Sequence, residues 1–147
     1  MSHKQLAVSL AYTSRTMVLE LNNALADCFR PLNLTCVQAE ALLALKPIEP
    51  ATLTELSEHL VAESGHPSRL VSRLVQRGLI ERSPSPSDGR ANLLHLTEHG
   101  RELAQQAEAA RKPLIDIVKR NNPEEIERLL AVMRSLSSDL KLYSSQN

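Results

Sequence analysis

Residues 52–96 constrain the fold more than any other stretch, because two short helices and a change of hydrophobic period are packed into them. Thr52-Leu53-Thr54-Glu55 is a capping box: the threonine oxygen takes an N–H of the first turn and the glutamate reaches back to the threonine N–H. The helix behind it is short, with Leu53, Leu56 and Leu60 on one face, and Ser64-Gly65 breaks it. A second helix starts at His66-Pro67, where proline is tolerated because a first-turn N–H has no partner inside the helix. It runs to about Arg77 and stops at Gly78, a natural C-terminal cap. Two helices joined by a tight break form a helix-turn-helix. Leu79-Ile80-Glu81-Arg82 then leads into Ser83-Pro84-Ser85-Pro86-Ser87-Asp88-Gly89, a loop by composition, and Ala91-Asn92-Leu93-Leu94-His95-Leu96 returns as a strand. The result is a hairpin with a long, stiffened tip.

The flanks are helical. Leu6, Leu10, Met17, Leu21, Leu25 and Phe29 recur at helical spacing, so residues 3–30 read as one helix ended by Pro31. Thr35-Cys36-Val37-Gln38 is another capping box, and its helix, carrying Ala39, Leu42 and Leu43, should end by Lys46 before Pro47 and Pro50. Thr97 caps a long helix with Leu103, Ala107, Ala110, Leu114 and Ile117 on its face. Pro113 should kink that helix or mark its effective end. Asn122-Pro123-Glu124-Glu125 is a strong helix start, followed by Ile126, Leu129, Leu130, Met133, Leu136 and Leu140. Ser144 to Asn147 should fray. The expected fold class is mainly α with a small β-hairpin wing: a winged helix-turn-helix flanked by long terminal dimerisation helices. A single domain is expected over 1–147, with the winged-helix lobe at 34–100 and terminal helices at 3–30 and 101–143, whose leucine stripes either pair with a second copy or pack within the monomer.

Charge distribution supports that organisation, although the 147-residue chain is formally neutral, with 17 Lys and Arg against 17 Asp and Glu. Residues 64–101 hold six arginines and three acids, whereas residues 1–63 hold four cations and seven acids. Arginine suits bidentate contact with phosphates and guanine edges. On the second helix of the pair, Pro67, Leu70, Val71 and Leu74 face a core, while Arg69, Ser72, Arg73 and Gln76 face away, with His66 and Ser68 at the leading end. Ser64 lies near that end, where free N–H groups suit a phosphate. An ordinary amphipathic surface helix would look similar. The hairpin that begins directly after it favours the winged variant, with Arg90 near the tip and able to enter a minor groove. Asp88 would hold an arginine in place, or serve only the Asp-Gly turn. The candidate DNA-binding residues are Ser64, His66, Pro67, Ser68, Arg69, Ser72, Arg73, Arg77, Asp88 and Arg90.

Leu34-Thr35-x-x-Gln38, Leu53-x-x-Leu56, Ser68-Arg69-Leu70-Val71-x-Arg73-Leu74, Arg77-Gly78-Leu79-Ile80-x-Arg82, Asp88-x-Arg90 and Leu96-Thr97-x-x-Gly100 together resemble the MarR (multiple antibiotic resistance regulator) family, in its order and close to its spacing. The resemblance is strongest over 34–100. It implies a homodimeric transcriptional regulator, in most cases a repressor, on a palindromic or near-palindromic operator in double-stranded DNA. It implies recognition helix 65–77 in the major groove and wing 80–96, with Arg90 in the minor groove. Pro67 departs from the family pattern by standing where an aliphatic residue or threonine is frequent, and Gly89 stands where a basic residue is frequent. Relatives also imply release by a small-molecule effector or an oxidant.

Other residues carry less. Cys28 and Cys36 are too few for a disulfide framework. As oxidant sensors they compete with the plainer reading of cysteines in an apolar stripe. His59 with His66 and His95 with His99 lack a third ligand at helical spacing, so no metal is expected. Arg15 could hold a ligand carboxylate, but an exposed or paired arginine is the simpler reading. With only Tyr12, Phe29 and Tyr143 aromatic, a stacking pocket has little material. No nucleophile–base pair, glycine-rich phosphate loop or metal triad is visible, so neither an enzyme nor a cofactor is expected. No secretory pattern opens the chain and no apolar run reaches the ~18 residues of a membrane span, so the expected setting is cytoplasmic, without a membrane partner. The alternative function is a helical dimer acting through protein partners without binding duplex DNA.

Overall fold

The computed structural model describes residues 1–61, 66–87 and 89–146. The elements are α1 (His3–Phe29), a 3-10 turn (Arg30–Leu32), α2 (Cys36–Leu45), α3 (Leu53–Ser57), α4 (Pro67–Gln76), β1 (Ile80–Pro84), β2 (Asn92–Leu96), α5 (Glu98–Val118) and α6 (Pro123–Gln146). The chain divides into one unit of residues 1–111 and another of residues 112–147. Among the described residues, no helix is long and apolar enough to cross a membrane.

Local chemistry sets most helix ends. Thr35 with Gln38 and Thr52 with Glu55 form the two reciprocal capping boxes expected from sequence. A third, Ser2 with Gln5, starts α1. Gly78, at φ 69°, ends α4. Its N–H reaches the Val75 carbonyl at 2.9 Å, and the Leu79 N–H reaches the Leu74 carbonyl at 2.9 Å. That pair of bonds satisfies carbonyls the helix would otherwise leave open.

Three expectations are corrected. Pro31 does not stop the chain's turn at once: α1 tightens into the 3-10 turn, which ends on Asn33 in the left-handed region at φ 53°, a conformation asparagine tolerates. Leu60 lies beyond the end of α3 at Ser57, although it still packs against the core. Pro113 does not end α5, which continues to Val118.

The core of the first unit joins Leu42 and Leu45 of α2, Leu56 of α3, Val71 and Leu74 of α4, and Leu79, Ile80 and Leu94 around the hairpin. Each fully buried aliphatic side chain contributes about 1.5–3 kcal/mol. Leu103, Ala104 and Ala107 of α5 belong to the same cluster, so the core reaches past residue 100. The start of α5 comes so close to the hairpin root that a β-carbon on Gly100 would lie 1.9 Å from the Leu79 carbonyl oxygen. Only glycine fits there. Thr97 closes the joint: its hydroxyl donates to the Gly78 carbonyl at 2.6 Å and accepts from the Gly100 N–H at 2.9 Å.

β1 and β2 are antiparallel, with Ile80 opposite Leu96, Arg82 opposite Leu94 and Pro84 opposite Asn92. The turn before α3 adds to the outer edge of β2. Ala51 N–H donates to the Leu94 carbonyl at 3.2 Å, and Leu94 N–H donates to the Ala51 carbonyl at 2.7 Å.

Candidate nucleic-acid interface

α4 separates sharply into two faces. Leu70, Val71 and Leu74 are buried and Pro67 is half-buried, whereas Ser68, Arg69, Arg73 and Gln76 are exposed. His66 is the N-cap residue, extended in backbone and making no side-chain capping bond, with Pro67 in the first turn. Among the described residues no acid pairs with Arg69 or Arg73. Two guanidinium groups one helical turn apart therefore stand on the solvent side of a helix whose other side is anchored in the core.

The remaining arginines of this region behave differently. Arg77 is half-buried and turned to α2, where its Nη1 donates to Gln38 Oε1 at 3.2 Å. That same oxygen accepts from the Thr35 N–H at 3.0 Å, so the capping glutamine also holds the arginine. The structure thus places Arg77 off the exposed face that Arg69 and Arg73 share. Arg101 is ion-paired with Glu49. Ser72 is half-buried, and its hydroxyl accepts from Arg82 Nη2 at 3.0 Å.

Arg82, to which the sequence alone assigned no role, ties β1 to α4. The signal was strand alternation: residues two apart share a face, so Arg82 follows the buried Ile80 toward α4. A cavity of about 370 Å³ lies alongside, lined by Thr52, Thr54, Val71, Arg82, Asn92 and Leu94 among others.

At the far end of the hairpin, Arg90 is exposed in the turn that leads back toward β2. Ser85 N–H donates to the Ala91 carbonyl at 2.9 Å, and the Ser85 and Ser87 hydroxyls are 3.2 Å apart. Lower on the hairpin, the Ser83 hydroxyl and His95 Nε2 are 2.6 Å apart. Ser64 and Asp88, both named from sequence, lie outside the described residues.

Cys28 and Cys36 are free thiols, each half-buried. Burial pushes the Cys36 thiol above its ordinary pKa. Its own backbone hydrogen bond opposes the rise, and the charges of Glu40 and Cys28 add to it. Its Sγ lies 3.7 Å from the Asn22 carbonyl. A second, open cavity of about 610 Å³ lies between the end of α1 and the start of α2, with Arg30, Thr35, Cys36, Gln38 and Arg77 in its lining.

The MarR family model matches residues 34–91. Over 138 residues the chain is 28% identical to an organic hydroperoxide resistance transcriptional regulator of Bacillus subtilis, spanning 94% of this chain and 93% of that one. It is 35% identical over 86 residues to the multiple antibiotic resistance protein MarR of Salmonella typhimurium, spanning 58% of this chain and 57% of that protein. In fold, it is similar to a mutant MarR of Escherichia coli complexed with operator DNA, at TM-score 0.76 and 22% identity, covering 92% and 99% of the two chains. It is likewise similar to MepR of S. aureus in a DNA complex, at TM-score 0.76 and 21% identity, covering 89% and 97%.

Proposed function

We propose that the chain, whose residues 34–91 match the MarR family model, is a sequence-specific transcriptional regulator of that family that binds double-stranded DNA as a homodimer. α4 enters the major groove and hairpin 80–96 lies along the neighbouring minor groove. The observation that carries the reading is the solvent face of α4, where Arg69 and Arg73 stand without an acid partner among the described residues while Leu70, Val71 and Leu74 fix the helix from behind. Arginine at such a position reads guanine O6 and N7 together, and Ser68 or His66 approaches bases or phosphates beside it. Pro67 sets the angle of the first turn, Ser72 with Arg82 sets the helix against the wing, and Arg90 reaches the minor groove. Arg77 acts from within the fold through Gln38. Ser64 and Asp88 keep the roles of a phosphate-facing helix entry and a wing-tip acid.

Two copies are needed because one helix and one wing read too few base pairs. Two-fold symmetry sets recognition helices about 34–36 Å apart on one face of the duplex. The ends of the chain supply material for the pairing. Leu6, Leu10, Leu19 and Leu21 of α1 and Leu129, Leu136 and Leu140 of α6 are exposed in the single chain. In this reading residues 1–147 form one domain, with a lobe at 34–100 and dimer helices at 3–30 and 101–143. The protein works in the cytoplasm, where the DNA is, as a repressor of a palindromic operator, released by a small-molecule or oxidant signal. It has no catalytic role, in keeping with relatives that are transcriptional regulators.

Duplexes selected from a random pool, titrated at rising salt, test the proposal. A dimer on DNA loses affinity linearly in log–log terms, by about 0.9 for each phosphate neutralised. Arg73→Ala should cost about 1–3 kcal/mol on the selected duplex and less on a random one. A protein with no duplex affinity in dilute buffer would falsify the reading and leave a helical dimer acting through protein partners.

A further inference from the structure

The root of the hairpin carries an ionic latch that the DNA-reading residues do not explain. Glu49 lies in the turn between α2 and α3, and its side chain keeps only 13% of its exposure. One carboxylate oxygen is ion-paired with Arg101 Nη1 in the first turn of α5. The other accepts from the Leu96 N–H, the last residue of β2, at 2.6 Å. Arg101 completes the ring, with its Nη2 donating to the Leu96 carbonyl at 3.3 Å. Both backbone groups of Leu96 are thus held by one ion pair that joins the turn after α2 to the β2–α5 junction, 47 and 52 positions further along the chain. The Ala51–Leu94 bridge sits next to it on the same edge.

We infer that Glu49 and Arg101 are positioning residues for the wing, fixing the root of β2 so that Arg90 meets the minor groove; this rests on the DNA-binding reading above. The lever is long. A strand advances ~3.3 Å per residue, so Arg90 stands on the order of 15–20 Å from the latch. A swing of about 10° at the root moves the tip by about 3 Å, a full hydrogen-bond length. The recognition helix is secured elsewhere, by Leu70, Val71 and Leu74 in the core and by the bonds of Ser72 and Arg77 to Arg82 and Gln38. Loss of the latch therefore acts on the wing and spares α4. Glu49 is 13% exposed and Arg101 53%, so solvent screens the pair only in part, and the two bonds to Leu96 add to it, which gives the effect measurable size.

Glu49→Gln keeps the side-chain shape and an acceptor for Leu96 while deleting the charge. Arg101→Lys keeps the charge while losing the fork to the Leu96 carbonyl. Both are measured on the selected duplex, in the native chain and in an Arg90→Ala background, together with amide hydrogen exchange of the free protein. Glu49→Gln should weaken binding about five-fold or more in the native chain and less than about two-fold once Arg90 is gone, the signature of coupled residues. Arg101→Lys should show the same coupling at smaller size, and it carries the test should Glu49→Gln not fold. Exchange should quicken across 92–96 and stay unchanged across 67–76. Equal losses in both backgrounds, or no loss, overturn the inference. So does faster exchange in α4. A native chain without duplex affinity, but with exchange at 92–96 quickened by the variants, defeats the regulator reading and with it the wing's role on DNA. Unchanged exchange beside intact DNA binding defeats the latch alone.

Discussion

The winged helix and α6 handle leucine in opposite ways. Around the winged helix, Leu42, Leu45, Leu56, Leu74, Leu79 and Leu94 are each 2% exposed or less. In α6 no residue is buried, and Leu129, Leu136, Leu140 and Leu142 are all at least 40% exposed. The helices are similar in chemistry: both have apolar residues at steps of three and four. The difference lies in what covers them. The lobe completes its core from its own chain, so its stability is intrinsic. The apolar stripe of α6 gains its ~25 cal/mol per Å² only against a further surface, and a second copy of the chain presents the same stripe. Stability at the ends should therefore depend on concentration, and stability in the lobe should not.

The largest test of that contrast is Gly100→Ala. The added β-carbon meets a backbone carbonyl at 1.9 Å, where no side chain can yield. The lobe should lose about 3 kcal/mol or more, read as a fall in the urea midpoint at every protein concentration. Leu74→Ala, fully buried in α4, should cost about 2–5 kcal/mol by cavity formation, again without concentration dependence. A midpoint that recovers as protein is added would break the distinction between the two regions.

Leu136→Ala in α6 is the counterpart, and the expected effect is smaller because the side chain is 40% exposed in the single chain. It should shift the dimer–monomer equilibrium by about 1–2 kcal/mol, seen by sedimentation, and leave amide exchange in the lobe unchanged. Unaltered dimerisation would mean that this face is not covered by a second copy.

The sequence exposed some of this contrast and hid some, for identifiable reasons. Capping boxes at Thr35 and Thr52 and the stop at Gly78 were legible because each is a local device complete within four or five residues. The root of the hairpin was legible because Ile80 and Leu96 end the runs that pair, whereas Ser83 and Pro84, a loop by composition, extend β1 opposite Leu93 and Asn92 because the partner strand supplies their pairing. The arginines were not sorted by sequence. Arg69, Arg73, Arg77, Arg82 and Arg101 look alike in one dimension, yet Gln38, Ser72 and Glu49 claim three of them from 39, 10 and 52 positions away. The charge count lumped all five together and the candidate site kept Arg77 beside Arg69 and Arg73, whereas tertiary pairing leaves Arg69 and Arg73 on the open face. Gly100 was visible as part of a family pattern, but its reason, the Leu79 carbonyl, is a contact across 21 positions.

The smallest effect concerns Cys36, where the packed unit meets a titratable group. Burial is the main cause of its raised pKa, so the folded chain holds the thiol proton to higher pH than the unfolded chain does. Between the ordinary thiol value, about 8.5, and the higher folded value, the unfolded state binds fewer protons. Stability is then undiminished below the ordinary value and declines as pH rises through that window. The thiol is only half-buried, so the decline should be slight. Alkylation is the sharper measurement, because only the thiolate reacts. In native buffer, the rate at Cys36 should keep climbing past the pH at which the same cysteine in urea has levelled off. A rate that levels at or below the ordinary thiol range would reverse the sign of the shift and point to a thiolate held ready for oxidation. Burial, by raising the pKa, disfavours the thiolate of Cys36 at the joint between α1 and α2.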